Sequence, residues 1–256
     1  MKTSELKNYF WDLFKLPSDQ DYDDENYGFN NYIEKDVETI GYAVNLNEEV
    51  INLATEAKVD MILTHHNVWD YMGELKPYCL DELKRRDLIH FFVHLPLDDI
   101  DFGTNAIIFR GLGVTADPKP DCEKGYYCRR VGSLVKPTPL VELVAKLEKI
   151  VEQPVDYWNF SGQDVKKIGL VAGGGEWTTN VEDMRSQDVD TYITGETNMF
   201  TLQVARFYKI NIIDCTHTMS EYPGIKSLAQ RIENDNPDLN IVRLPETNVE
   251  IPENRR

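Results

Sequence analysis

Short apolar strands alternate with helices through most of this chain, and that alternation limits the possible fold more than any other feature. Apolar strands that alternate with helices are typical of a parallel or mixed sheet covered by helices. From residue 37 the pattern predicts strands near Thr39–Val44, Met61–Thr64 and Ile89–Leu95, and helices at Asn47–Ala57, near Leu80–Arg86 and from Asn105. We therefore expect an α/β fold.

The second part of the chain repeats this pattern. A helix beginning at Thr138-Pro139 precedes the strands "KKIGLV", "TYIT" and "INIID", a helix reaching about Phe207, a last helix opened by Pro223 or its neighbours, and the strand "LNIVRL". Before the alternation, an amphipathic helix ends at Pro17, and the polar stretch Ser18–Asn31 predicts a surface loop. The polar segment "TADPKPDCEKGYYCRR" separates the predicted halves, residues 1–122 and 123–256.

Two local echoes indicate an internal duplication. The segment "VDMILTHHN" at residues 59–67 resembles "VDTYITGET" at residues 189–197, and both end a strand at a threonine. In each half, the next strand is followed by a histidine and, four positions later, an acid: His94 with Asp98, and His217 with Glu221. The order of the echoes predicts two similar α/β halves.

Four of the five histidines follow predicted strand ends, where ligand sites of parallel sheets gather. A single histidine at a strand end is more often a hydrogen-bonded structural residue, and we assign His90, near the start of its strand, to that class. The other four come with acids of the same spacing. We expect a metal site between the halves, formed by His65, His66, His94, Asp98, His217 and Glu221.

The adjacent pair His65-His66 favours two metal ions. Neighbouring side chains of a strand point to opposite faces, so both rings bind one ion only where the chain turns. Asp98 or Glu221 could bridge two ions, because a carboxylate offers two oxygens. Nitrogen and oxygen ligands suit zinc, iron, manganese, cobalt or nickel better than calcium or magnesium. Two such ions about 4 Å apart activate water for hydrolysis.

Charge and composition restrict the partners. The formal net charge is −17, so the average field repels nucleic acid, which is an unlikely partner. No apolar stretch reaches the ~18 residues of a membrane span, and the N-terminal segment does not look like a secretion signal, so we expect a cytoplasmic protein. Four cysteines without a Cys-x-x-Cys pair predict reduced, packed thiols.

The motifs "ILTHH", "VHLPLD", "YITGE" and "THTMSE", in this order, resemble those of the Ngg-one-interacting-factor-three-like family. The resemblance implies two α/β halves around a dinuclear metal centre, a toroidal homohexamer, and a relation to proteins called GTP cyclohydrolase I type II homologues. It also implies that the histidine pair, the acid Asp98 and the late His217 and Glu221 are ligands, with His94 preceding the acid. Asn67 stands where proline is common, and Thr216 where glycine is common.

Two further features have alternative readings. Glu196 aligns with His66 in the echo, which makes it a candidate catalytic base or a partner of a metal ligand, or alternatively a structural glutamate. The run Gly173–Gly175 is either a phosphate-binding turn or simply a tight turn. For a triphosphate, Arg129 and Arg130 are the main candidate contacts, together with the nearby lysines.

These features favour a metal-dependent hydrolase of a nucleotide or related small molecule, the nucleotide being implied by the resemblance. The alternative is a metal-binding regulatory or scaffold ring without catalysis. A catalytic centre needs an open coordination position for water, whereas a structural metal site is closed.

Overall fold

The computed structural model describes residues 1–118 and 129–255. Contacts divide the chain into two units. The first contains Met1–Ile100 and Ile225–Thr247, and the second contains Asp101–Gly224 and the segment from Asn248 onward. The predicted boundary between residues 122 and 123 lies outside the described residues, whereas the contacts divide the chain after Ile100.

Strands and helices alternate through both units. In the described ranges the strands are β1 (Tyr22–Asp23), β2 (Tyr27–Asn31), β3 (Thr39–Ala43), β4 (Met61–Thr64), β5 (Ile89–Val93), β6 (Val114–Ala116), β7 (Arg130–Thr138), β8 (Asp156–Trp158), β9 (Val165–Val171), β10 (Thr191–Thr194), β11 (Asn211–Asp214) and β12 (Asn240–Arg243). The α-helices there are α1 (Thr3–Phe14), α2 (Glu48–Glu56), α3 (Leu75–Arg85), α4 (Leu95–Asp99), α5 (Thr104–Leu112), α6 (Leu140–Val151), α7 (Thr178–Ser186), α8 (Met199–Tyr208) and α9 (His217–Asp235). No helix among these is both long enough and apolar enough to cross a membrane.

The first unit contains a six-stranded mixed sheet in the order β1-β2-β5-β4-β3-β12. Strands β5, β4, β3 and β12 are parallel, and β2 joins β5 in the antiparallel sense. Helix α2 begins at Asn47, whose side chain accepts a hydrogen bond from the backbone N–H of Val50, as an N-cap does. Its apolar face packs with Ile62 of β4 and Leu83 of α3 into one buried cluster, which covers a face of the sheet.

The second unit contains another six-stranded mixed sheet, in the order β6-β7-β9-β10-β11-β8. Here β9, β10 and β11 are parallel, and β7 and β8 flank them as antiparallel strands. One buried cluster joins Leu147 of α6 to Ile193 of β10, and a separate cluster joins Met184 of α7 to Tyr192 of the same strand. Because neighbouring strand residues point to opposite faces, helices cover both faces of this sheet.

The predicted α/β fold with two similar halves is confirmed, and the duplication extends to hydrogen bonds. Asp60 precedes β4, and one of its carboxylate oxygens accepts the backbone N–H groups of residues 38 and 39. Asp190 precedes β10 and accepts those of residues 166 and 167 in the same way. Before each aspartate, Lys58 and Asp188 adopt left-handed backbone conformations, with φ of 54° and 58°. The repeated "VD" thus marks the same tight helix-to-strand connection in both halves.

Two local predictions are wrong. The stretch Ser18–Asn31 is not only a surface loop, because β1 and β2 form a hairpin that pairs with β5. The stretch is rich in asparagines and aspartates, which are depleted in strands, so its sequence does not show a strand pattern. Helix α9 begins at His217, and Pro223 lies inside it. Proline is common at the first helical position, so the local sequence suggested a later start.

The described cysteines have the environment expected for packed thiols. Cys79 lies in the buried cluster of the first unit, and Cys215 lies in a buried cluster of the second. Burial raises the pKa of the Cys79 thiol to about 11, so it is uncharged at neutral pH. The predictions for Cys122 and Cys128 lie outside the described residues.

Candidate metal centre

The ligand candidates of the first unit lie where two neighbouring parallel strands end. His65 and His66 follow β4, and His94 follows β5 and precedes α4, which carries Asp98. Parallel strands bring their carboxyl ends to one edge of the sheet, so the local sequence order places the side chains together. His65 is fully buried and Asp98 is 4% exposed, which is unusual for a carboxylate unless it is paired or binds a cation.

These side chains converge closely. One ring nitrogen from each of His65, His66 and His94 lies within 4.8 Å of the others. Nε2 of His65 is 3.5 Å from Oδ1 of Asp98. The ring centroids of His65 and His94 are 5.0 Å apart. Three imidazoles and a carboxylate in this arrangement match the donor set preferred by zinc and related transition metals.

The Nδ1 atom of each ring has an oxygen partner. His65 Nδ1 donates to the carbonyl of Val93 at 3.0 Å, and His94 Nδ1 donates to the carbonyl of Glu25 at 2.8 Å. His66 Nδ1 is 2.7 Å from the side-chain oxygen of Asn45. A carbonyl oxygen only accepts, so Nδ1 of each ring carries a proton, and in a neutral ring the lone pair is then on Nε2. This is the tautomer that metal-ligating histidines use when Nδ1 holds an outer hydrogen bond.

The orientation of Asn45 is determined by Glu246. The Asn45 Nδ2 group donates to Glu246 Oε2 at 2.9 Å, which turns the amide oxygen toward His66. The other oxygen of Glu246 accepts the backbone N–H groups of Val44 and Asn45. Burial raises the pKa of Glu246, and these hydrogen bonds act in the opposite direction. The sequence analysis did not identify Asn45 or Glu246, since neither lies in a recognisable motif.

A second network supports the loop after β4. Thr64 Oγ1 donates to the carbonyl of His66 at 2.6 Å and lies 2.8 Å from His90 Nε2. Asn30 donates both to His90 Nδ1 and to the side-chain oxygen of Asn67. The amide of Asn67 donates in turn to the carbonyl of Asp24 in the β1–β2 turn. His90 thus has the structural role predicted for it, and Asn67 connects the loop after β4 to the hairpin.

The second unit supplies two further ligand candidates from one helix. His217 and Glu221 are four residues apart in α9, which places them on the same face. His217 Nε2 is 3.3 Å from Glu221 Oε1, and His217 Nδ1 is 2.5 Å from Glu196 Oε1. Glu196 follows β10. It contacts Nδ1 of His217, whereas Glu221 contacts Nε2 of the same ring. This is the position of a carboxylate that orients a metal-ligating histidine.

The two carboxylates control the charge of His217. Burial by itself lowers the pKa of His217, but the charge of Glu221 and the hydrogen bonds with Glu196 and Glu221 outweigh it and raise the pKa to about 11. The hydrogen bond from His217 lowers the pKa of Glu196. Without a bound metal the ring is therefore cationic at neutral pH, and a metal would replace a proton at Nε2.

The run Gly173–Gly175 packs against these residues. A Cβ atom on Gly173 would lie 2.9 Å from His217 Nε2 and would collide with Glu221, so glycine allows the turn to approach both side chains. The N–H of Gly173 donates to the hydroxyl of Ser220 at 2.8 Å. These contacts favour the tight-turn reading over the phosphate-binding one.

The proposed phosphate contacts from arginine have acidic partners instead. Arg129 Nη1 is 2.8 Å from Asp183 Oδ2, and Arg130 Nη2 is 3.6 Å from Asp101 Oδ1. Arg130 is also buried. Each guanidinium therefore lies next to a carboxylate that offsets its charge.

A cleft of about 390 Å³ opens beside Glu196 in the second unit. Four of its eleven lining residues are acidic, and the lining consists of Pro154, Val155, Asp156, Gly195, Glu196, Thr197, Asp214, Thr216, Glu250, Ile251 and Pro252. The C-terminal segment forms one of its walls, which the sequence analysis did not anticipate. Four carboxylates around one cleft disfavour a polyanionic ligand there.

Comparisons with known proteins identify the family to which this chain belongs. Residues 1–249 match the family model described as Duf34/NIF3 (NGG1p interacting factor 3). A GTP cyclohydrolase 1 type 2 homolog from Pyrococcus horikoshii is 30% identical over 201 residues, which are 76% of this chain and 79% of the relative. The homolog from Archaeoglobus fulgidus is 27% identical over 235 residues, or 90% of this chain and 92% of the relative.

The solved structure of reduced HcgD from Methanocaldococcus jannaschii has the same fold, with a TM-score of 0.79. The alignment covers 96% of this chain and 98% of that one, at 22% sequence identity. At this identity the similarity concerns the fold alone.

Proposed function

This chain belongs to the Duf34/NIF3 (NGG1p interacting factor 3) family, and from that premise we propose that it is a metal-dependent hydrolase of a nucleotide or related small molecule. The observation that carries the proposal is the convergence of the three imidazoles of the first unit, within 4.8 Å at their ring nitrogens. Three imidazoles this close together, with the buried carboxylate of Asp98 beside them, form a donor set that suits a transition-metal cation. A cation is thus the occupant that this cluster fits.

The proposed ligands are His65, His66, His94, Asp98, His217 and Glu221, holding two divalent ions of zinc, iron, manganese, cobalt or nickel. The three Nε2 atoms and the Asp98 carboxylate of the first unit supply nitrogen and oxygen donors. His217 and Glu221 supply one more of each from α9. When bound, such ions supply Lewis acidity and a water of lowered pKa.

Glu196 is the proposed proton-transferring residue. Its carboxylate accepts a hydrogen bond from His217 Nδ1, and the residue also lines the cleft of the second unit. The hydrogen bond from His217 lowers the pKa of Glu196, so the carboxylate is ionised near neutral pH, the form in which a general base acts. The same contact orients His217, so the residue would both hold the ligand and move a proton.

A nucleobase is the part of the substrate for which the first unit offers a matching surface. The indole of Trp69 lies 5.3 Å from the ring of His66 and 5.2 Å from that of His94, between centroids. Its N–H donates to the carbonyl of Asp24, which fixes the ring plane, and Tyr71 stacks on it at 5.7 Å. The ring of Tyr71 is 81% exposed. Stacking on such aromatic side chains stabilises bound bases by about 1–3 kcal/mol each.

The test is hydrolysis of a panel of nucleotides, nucleosides and free bases by metal-loaded protein, with product detection by mass spectrometry. We expect turnover that His65→Ala abolishes. Trp69→Ala should raise KM about tenfold or more through lost stacking, with a smaller change in kcat. Phe207→Ala, which removes an exposed aromatic ring of the second unit, is the control. Turnover no greater than that of His65→Ala across the panel would refute the proposal.

We also propose that the chain forms homo-oligomers, with the hexamer implied by the family resemblance as the expected state. Trp177, Met199 and Phe200 are each at least 60% exposed, and a hydrogen bond from Asn198 to the carbonyl of Glu176 joins the two segments that carry them. Exposed apolar side chains in adjoining segments favour protein contacts. Light scattering should give a mass of about six chains, and Phe200→Asp should reduce it.

A further inference from the structure

The N-terminus of helix α9 is covered by the C-terminal segment of the same unit. Glu250 Oε1 accepts the backbone N–H of His217 at 2.6 Å, and its Oε2 accepts that of Thr218 at 2.9 Å. The first N–H groups of a helix have no partner within the helix, and a negative charge there is favourable. Glu250 therefore caps the helix that carries His217 and Glu221.

The residue before the helix has an unusual backbone. Thr216 has φ of 61°, in the left-handed region that β-branched residues rarely adopt. An N-cap residue is usually extended, and its own side chain accepts a helix N–H. The hydroxyl of Thr216 instead accepts hydrogen bonds from Asn248 at 2.8 Å and from Gln153 at 3.0 Å. The conformation thus depends on partners that lie far away in the sequence.

Asn248 and Glu250 act together. The Asn248 side chain donates to Thr216 and to Gln153, and its oxygen accepts the N–H of Glu250 at 3.0 Å. Gln153 also donates to the carbonyl of Cys215 at 2.6 Å. We call Asn248 and Glu250 the C-terminal clasp. The clasp thus holds both Thr216 and His217.

We propose that the C-terminal clasp positions His217. By fixing the strained residue before His217 and capping the first helical turn, Asn248 and Glu250 hold the imidazole against Glu196 and Glu221. Both are positioning residues, since they contact the backbone of His217 and the side chain of Thr216. The proposal rests on the proposed function only in taking His217 as a metal ligand.

Glycine adopts a left-handed conformation without cost, whereas this chain has threonine at position 216. Strain of this kind persists only where the surroundings hold the residue in place. The hydroxyl that threonine adds is the acceptor that the clasp uses.

The test compares the full-length wild type with Glu250→Gln and Asn248→Ala. Glu253→Gln, which removes an exposed charge from the same segment, is the matched control. Hydrogen exchange of the peptide containing His217 and Thr218 is measured on metal-free protein, and Zn²⁺ affinity is measured by competition with a chelator. Thermal unfolding checks that each variant is folded.

We expect exchange at His217 and Thr218 to accelerate about tenfold or more in Glu250→Gln, because a neutral amide offers one acceptor oxygen to two N–H groups. We expect a smaller acceleration in Asn248→Ala. Zn²⁺ affinity should fall about tenfold, within the range for outer partners of metal ligands. Unchanged exchange, or faster exchange with unchanged Zn²⁺ affinity, would overturn the proposal. Wild-type protein that takes up none of Zn²⁺, Fe²⁺, Mn²⁺, Co²⁺ and Ni²⁺ would refute the proposed function instead, and exchange would still decide whether the clasp orders the helix.

Discussion

The two units use the same strand ends for different chemistry. In the first unit, His65 and His66 follow β4, and backbone carbonyls and an amide oxygen orient the imidazoles. In the second, the equivalent positions after β10 are Gly195 and Glu196, and the histidine lies on α9 between two carboxylates. The Nδ1 atoms of the three histidines of the first unit have neutral oxygen partners, whereas Nδ1 of His217 has a carboxylate partner.

The duplicated scaffold thus determines where the candidate ligand side chains lie, but the type of side chain differs between the two units. The carboxyl end of a central parallel strand is a site for side chains in both units, because the following loop turns away from the sheet there. Neutral partners orient a ring without adding charge. Carboxylate partners also make the ring more basic, as the raised pKa of His217 shows.

The largest expected effect is loss of metal when a proposed ligand is removed from either unit. His65→Ala and His217→Ala should each lower the bound metal to well below the wild-type content, because each removes a nitrogen donor. Elemental analysis of purified, folded protein measures this. Glu253→Gln, which changes an exposed side chain, is the control. If only one of the two alanine variants loses metal, the units do not contribute equally.

Removing the residues that hydrogen-bond to the proposed ligand histidines should have the next largest effect. It should also show a difference in metal affinity between the two units. Asn45→Ala and Glu196→Ala are each expected to weaken Zn²⁺ binding about 10–100-fold, the range for such partners. The loss should be greater for Glu196→Ala, because a charge is removed along with a hydrogen bond. Chelator competition measures both affinities.

Glu196→Gln separates the two contributions. The glutamine oxygen can still accept the hydrogen bond from His217 Nδ1 but carries no charge. Recovery to the affinity of the wild type would show that orientation alone matters, which would contradict the electrostatic difference between the units.

A smaller effect is expected from Gly195→Ala, at the position where the first unit has His65. A Cβ there would lie 2.6 Å from the carbonyl oxygen of Gly173 and 2.8 Å from Cα of His217, so the backbone must shift. We expect a loss of about 1–3 kcal/mol in the free energy of unfolding. Gly174→Ala is the control, because a Cβ atom there would have no neighbour closer than 3.6 Å. Gly162→Ala is unsuitable because of its positive φ. Equal stability of Gly195→Ala and the wild type would show that packing does not exclude a side chain there.

The smallest effect concerns the pH dependence of the first unit. Burial lowers the pKa of His90 to about 3, so the ring stays neutral in the folded protein, while in the unfolded chain it titrates near its ordinary value. Its contribution to stability is therefore complete above about pH 6.5 and is lost progressively as the pH falls toward 3.

His90→Gln should lower the free energy of unfolding by about 1–3 kcal/mol at pH 7, because Asn30 and Thr64 lose well-placed partners. The difference from the wild type should narrow as the pH falls from 6.5 to 4. Urea unfolding of metal-free protein at several pH values measures it. A difference that stays constant across this range would show that His90 does not titrate on unfolding.

Much of the scaffold was predictable, because strand and helix patterns are local. The strands at Met61–Thr64 and Thr191–Thr194 lie where the apolar runs predicted them, and the repeated "VD" before each has the same hydrogen bonds in both units. The start of α9 was not predictable, because its cap, Glu250, is 33 residues from His217. The hairpin of β1 and β2 was missed because its pairing with β5 outweighs a polar local sequence.

By itself, the sequence determined which residues end the strands, and so which imidazoles and carboxylates lie at the edges of the sheets, because side-chain alternation and strand length are local properties. Only the tertiary structure decided which nitrogen of each ring faces its neighbours. That choice depends on acceptors such as the carbonyl of Glu25, 69 residues from His94, and the oxygen of Asn45, 21 residues from His66. A hydrogen bond forms between atoms that folding brings within about 3 Å, and no local pattern specifies that distance.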